Sequence, residues 1–202
     1  MAKKSIVELY TKASLGKRVD IILDNYSGFE RMLNGYVQSL SVVIRNERAF
    51  NRRKWIGDTG VRVQTSNISD VTAKTAVENV SIQQAIVQGD WKAALKDTDN
   101  AVRHRREIQT ICLMRDDYDI VSGCICSLAK EDYDIYDEYL SREKTYDDLV
   151  EASKLSYDAY RTKIYRCKAF VKDNAISFME MKQADNAEII QFCDSDSELK
   201  CA

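Results

Sequence analysis

The sequence predicts an all-α protein, with a helical N-terminal part built on a long amphipathic helix and a C-terminal pair of helices joined by a short turn. Three observations carry this expectation. The 202 residues include no proline and only seven glycines, too little punctuation for the turns of a sandwich or barrel. Apolar residues recur at alternating spacings of three and four in two separate stretches, which is the period of a helix face and not of a strand. Ser, Thr or Asp stands ahead of the helices expected to open near residues 69, 145 and 156, the usual chemistry of a helix start.

Composition narrows the class further. A hydrophobic share of 45% is that of a globular chain, while the charged share of 31% exceeds the usual quarter and calls for long solvated helix faces. The start MAKKSIVELY lacks the apolar stretch of a signal sequence, and no segment approaches the ~18 apolar residues of a membrane span. A cytosolic, membrane-free protein is expected, and its six cysteines are then reduced thiols. The net charge of −2 argues against indiscriminate coating of nucleic acid but leaves room for a local basic face.

The first element is a stripe at Val19, Ile22, Tyr26, Phe29, Leu33, Tyr36, Leu40 and Val43, a heptad seam on one helix of about 30 residues. Cover by the chain's own second seam is preferred over a homodimer, because Gly28 and Gly35 weaken a free-standing coiled coil and Tyr26 and Tyr36 would need hydroxyl partners in a dry dimer core. The helix ends in a run with Arg45, Arg48, Arg52, Arg53 and Lys54 against Glu47 alone. Those cations suit either phosphate contacts or a solvated last turn facing the helix dipole. Residues 57–69 read as a loop. A third helix follows from about Ser69 or Asp70 to Val87, stopped by Gly89-Asp90. A longer one is expected from Trp91, regaining a seam at Ile111, Met114, Tyr118, Val121, Ile125 and Leu128.

Beyond Leu128 the charges segregate. Residues 129–148 hold eight acids and three bases, whereas Arg161, Lys163, Arg166, Lys168 and Lys172 face only Asp158 in residues 157–172. Thr145 with Asp148 three residues on makes a capping box, and Ser156 caps the next helix. Leu149, Leu155, Tyr160 and Ile164 are placed to hold the two helices across each other as in a helix-turn-helix. The cationic helix is the one such a motif inserts into the major groove.

These residues resemble region four of the sigma-70 family over residues 114–172, somewhat less than a third of the chain. Thr145-Tyr-Asp-Asp-Leu149 stands where the family opens its scaffold helix, and Tyr160-Arg-Thr-Lys-Ile-Tyr-Arg-Cys-Lys-Ala-Phe-Val171 stands at its recognition helix. Where family members usually carry alanine, leucine and glycine, this chain has Val150, Ser153 and Lys154; a lysine at a turn position that often needs positive φ is strained or demands a different turn. The first 110 residues show no counterpart of the polymerase-binding or promoter-melting regions. The chain is more similar to small sigma-like regulators of phages and mobile elements of Gram-positive bacteria, with Gly60-Val-Arg-Val-Gln-Thr-Ser66 and Ser69-Asp-Val-Thr-Ala73 as further points of likeness. The resemblance implies that Tyr157, Asp158, Arg161 and Thr162 face base edges and that Lys163, Arg166 and Lys168 lie nearer phosphates. It implies double-stranded DNA as partner, with RNA polymerase a second.

Other chemistry finds no support in the residues. His104 lies among arginines with no triad spacing and reads as a surface residue. Cys124-Ile-Cys126 has one intervening residue where zinc sites have two to four, so both cysteines read as core. The glycines form no phosphate loop, and the acids at Asp116, Asp117, Asp132, Asp134 and Asp137 lack a calcium loop. No cofactor, metal or catalytic residue is expected, and the protein is read as a DNA-binding transcriptional regulator rather than an enzyme. The alternative is a protein-interaction module that grips a host protein with the acidic face of residues 129–148. Four segments are expected: a long amphipathic helical segment over 1–56, connecting loop and helices over 57–110, the region-four-like domain over 111–182, and an acidic, partly disordered tail over 183–202.

Overall fold

The computed structural model describes residues 6–56 and 71–198, and every regular element among them is helical. The helices are α1 (Ile6–Tyr10), α2 (Leu15–Asp24), α3 (Phe29–Ile56), α4 (Val71–Val87), α5 (Trp91–Ala94), α6 (Ala101–Cys126), α7 (Lys130–Ser141), α8 (Tyr146–Ser153) and α9 (Tyr157–Glu198), with a 3-10 turn at Tyr26–Gly28. The fold is all-α. None of the described helices is long and apolar enough to cross a membrane. The expected loop at residues 57–69 lies outside the described residues.

The chain divides into two compact units, one of Met1–Thr11 with Glu30–Arg115 and the other of Lys12–Phe29 with Asp116–Ala202. In the first, Val37, Leu40 and Ile44 of α3 share a core with Ile82 and Ile86 of α4, Ala94 of α5, and Ile108 and Ile111 of α6. Gly89 ends α4 at φ +72°, a left-handed position suited to glycine. There the Gly89 and Asp90 amides donate to the carbonyls of Ile86 and Ala85 at 3.2 and 2.9 Å, closing the helix as a Schellman motif. The Asp90 carboxylate then accepts from the Ala93 amide at 3.0 Å and caps α5.

Two expectations are corrected here. The helix expected from Trp91 onward breaks after α5. Thr98 Oγ1 donates to the Leu95 carbonyl, and Asn51 Nδ2 donates to both Asp97 O and Asp99 Oδ1. Short polar side chains offer the backbone alternatives to helix in this way. The single helix expected from Val19 is also two, because Asn25 Nδ2 donates back to Ile21 O at 2.8 Å and the chain passes through the 3-10 turn before α3 begins. Along α3 the buried face then runs through Leu33, Val37, Leu40 and Ile44, while Val43 is 46% exposed. A straight helix drifts by roughly 20° per heptad from a strict 3.5-residue seam, and α3 follows the drift.

In the second unit, Phe29 stacks on Tyr118 at 5.3 Å, and the Tyr26 hydroxyl lies 3.0 Å from Ser122 Oγ. Along α9, Tyr160, Ile164, Cys167, Val171, Ala175 and Met179 are buried and form its inner face. Helix α9 continues to Glu198 through residues assigned from the sequence to an acidic tail; no glycine or proline follows Gly123 to stop it. Residues 199–202 of that tail lie outside the described residues. His104, expected at the surface, is 3% exposed. Its Nδ1 lies 2.9 Å from Glu107 Oε2 and its Nε2 lies 3.0 Å from Glu47 Oε1, so it ties α3 to α6. Cys124 is buried as expected, but Cys126 is exposed, because two residues apart on a helix they face different sides.

Candidate nucleic-acid interface

The local sequence specifies both helices around residues 145–157. Thr145 Oγ1 accepts from the Asp148 amide at 3.3 Å while the Asp148 carboxylate accepts from the Thr145 amide at 3.2 Å, a complete capping box. The Thr145 hydroxyl, which also donates to the Asp148 carboxylate at 2.6 Å, and the Thr145 amide hold that carboxyl below its ordinary range. At the other end of α8, Lys154 adopts φ +57°, so the positive φ expected to strain a lysine is present. Ser153 eases the turn: its hydroxyl donates to the Val150 carbonyl at 2.8 Å and accepts from the Leu155 amide at 3.3 Å. Where the family resemblance would place a leucine, a serine stitches the turn instead. Ser156 then accepts from the Ala159 amide at 3.3 Å and starts α9.

Leu149, Tyr160 and Ile164 are buried and Leu155 is half-buried, which fixes α8 against α9. Tyr146 packs on Tyr157 with ring centroids 5.1 Å apart and meets Tyr160 edge-on at 5.3 Å. The Tyr160 hydroxyl is buried with no hydrogen-bond partner among the described residues, and burial pushes its pKa up to about 12.

The expected site residues divide into two groups. Tyr157, Asp158, Arg161, Thr162 and Arg166 are exposed on α9, and neither arginine enters an ion pair among the described residues. Asp158, Thr162, Lys163 and Arg166 line one open groove of roughly 590 Å³ together with Asp132 and Leu155. The lysines, however, are engaged. Lys163 Nζ lies 2.8 Å from Asp132 of α7, and that hydrogen bond raises its pKa. Lys168 Nζ lies 3.9 Å from Asp20 and 4.0 Å from Asp24, and Lys172 Nζ lies 2.9 Å from Asp20. Three of the five cations counted on residues 157–172 from the sequence are therefore met by carboxylates of α2 and α7, which sequence proximity could not reveal.

In the second basic run two arginines are engaged. Arg48 donates to the carbonyls of Ala93 and Ala94 at 2.9 Å each, and Arg52 pairs with Glu78 at 2.7 Å. The side chains of Arg53 and Lys54 lie outside the described residues. Among the described residues no cluster of His, Cys, Asp and Glu is arranged to hold a metal ion. Among the exposed residues of α9 to which the sequence reading gave no role is Tyr165, four residues beyond Arg161, whose position on the helix face was the available signal. No protein-family model, curated protein or solved structure matches this chain.

Proposed function

We propose that this chain binds double-stranded DNA sequence-specifically through the first turns of α9 and acts as a transcriptional regulator. The observation that carries the reading is the placement of Arg161, Thr162 and Arg166 on the exposed side of a helix whose start is capped and whose approach is set by the three-residue turn after α8. Guanidinium groups recognise guanine edges and phosphates bidentately, and Thr162 supplies a short polar side chain between them. The likeness of residues 114–172 to region four of sigma factors supports the same role, in the cytosol and on a phage or mobile element, with RNA polymerase as a candidate second partner. Selection of duplexes from a random-sequence pool, followed by binding across a salt series, tests it. A recurrent motif supports the reading; no preference at any salt defeats it.

A second reading rests on the engagement of Lys163, Lys168 and Lys172 by carboxylates. With only two free cations on the reading face, the exposed acids of α7, including Glu131 and Asp134, become the stronger electrostatic feature, suited to a basic protein partner. Nuclease-treated pull-downs that recover one stoichiometric protein through α7, by a chain without DNA affinity, favour it.

A further inference from the structure

The inner face of α9 is fixed by Tyr160, Ile164, Cys167 and Val171, all buried. Opposite them, Tyr165 is 73% exposed, and no hydrogen bond or ring contact of the described residues involves it. Tyr146, Tyr157 and Tyr160, by contrast, pack on one another. Tyr165 contributes nothing to the fold that a lysine or glutamine would not, and either is the better helix former. It sits four residues beyond Arg161 and three beyond Thr162, so the three share one side of the helix, with Tyr165 about 6 Å further along the axis than Arg161 at ~1.5 Å per residue. Arg161 and Arg166, which enter no ion pair among the described residues, stand four positions before it and one after, so the ring stands in a positive setting.

Resting on the DNA reading above, we infer that Tyr165 extends the base-reading face by one turn and contacts the 5-methyl group of a thymine in the major groove. Thymine is the one base that presents an apolar group there; the other base edges offer donors and acceptors. An aromatic ring meets that methyl group with its apolar surface, and its hydroxyl remains free for water or a phosphate oxygen. The contact specifies a thymine at the edge of the site, beyond the positions reached by Arg161 and Thr162.

The test uses the full chain and the duplex motif it selects from a random pool. Each thymine of the motif is replaced in turn by uracil, which removes only the methyl group. One replacement should weaken wild-type binding about fourfold, the worth of one buried methyl-sized group, and should have no effect on Tyr165→Ala; Tyr165→Phe should retain the wild-type discrimination. Thermal unfolding of Tyr165→Ala should match wild type, since the ring is outside the core. If no thymine shows the effect, or if Tyr165→Ala keeps it, the inference is overturned while the DNA reading stands. A wild-type chain that selects no motif overturns both, and retained binding of a protein partner through Tyr165 in that case assigns the ring to docking.

Discussion

The two basic runs look alike in the sequence and differ in the structure. The run ending α3 carries five cations against one acid, as residues 157–172 of α9 carry five against Asp158. In α3 two arginines of the run turn to structural work: Arg48 donates to the carbonyls of Ala93 and Ala94 at the end of α5, and both Arg48 and Arg52 approach Glu78. In α9 Lys163, Lys168 and Lys172 are paired, while Arg161 and Arg166 enter no ion pair among the described residues. Charge density in a sequence therefore counts cations without saying which are available. That depends on carboxylates and carbonyls brought in by the fold, here from residues as far as 152 positions away.

The largest expected effects test this contrast directly. Arg161→Ala should weaken binding to the selected site roughly 10- to 100-fold and relax preference at one position, as loss of a base contact does. Arg166→Ala should weaken binding to all sequences and lower the salt slope by about one. Equal losses on every sequence from both changes would break this division. Arg48→Ala should instead leave site preference unchanged and cost stability, about 1.5–3 kcal/mol for hydrogen bonds from a charged donor, read as a lower thermal midpoint. A stable Arg48→Ala protein with weakened DNA binding would erase the distinction between the two runs.

A smaller effect follows from His104, the histidine buried beneath the first run. Burial alone lowers its pKa, but the hydrogen bonds to Glu107 and Glu47 outweigh it and the net shift is upward. Arg103 of α6 also pairs with Glu107 at 3.1 Å, and Asn100 Nδ2 donates to Glu47. The Glu47 carboxyl, whose burial raises its pKa, is lowered overall by hydrogen bonds from Asn100 and His104. A histidine raised in the folded state contributes stability that is complete below its unfolded value of about 6.5 and lost as pH climbs through the folded value. The lowered Glu47 contributes stability above its unfolded value, lost as pH falls through its folded value. Chemical denaturation from pH 5 upward should therefore show wild type losing stability on the alkaline side, and His104→Gln should flatten that limb. An equally steep limb in the variant excludes His104 as its cause.

How much of this was legible in the sequence varies with the range of the interaction. The caps at Thr145 and Ser156 were readable because a capping box is written within four residues. The all-α class was readable from periodicity and the lack of proline. The break of α3 from α2 was not, since Asn25 acts through a side-chain hydrogen bond to Ile21 that a heptad count ignores. His104 looked exposed among its arginine neighbours because its burial depends on Glu47, 57 positions away. The turn and the helix that carry the candidate residues were legible; the pairing of three of the five cations of residues 157–172 was not.

The smallest expected effect isolates those neutralising carboxylates. Asp20 lies against Lys172 and near Lys168, and Asp24 near Lys168 alone. These pairs are partly exposed, so each is worth less than about 1 kcal/mol to the fold. If DNA phosphates compete with them, Asp24→Asn should leave the thermal midpoint nearly unchanged and raise DNA affinity by less than about fivefold, the ceiling set by one such pair. The gain should come with a steeper salt dependence, because a Lys168 left with Asp20 alone is freer to add a phosphate contact. Asp20→Asn should give the larger gain of the two, since it frees Lys172 as well. The order of the two variants is the informative reading: a gain from Asp24→Asn with none from Asp20→Asn would mean that Lys172 serves only the packing of α9 on α2, and that the DNA-facing part of the helix ends at Lys168. Unchanged affinity and unchanged salt slope in both would confine the interface to Arg161, Thr162 and Arg166, leaving the lysines of α9 to the same structural use as the arginines of α3.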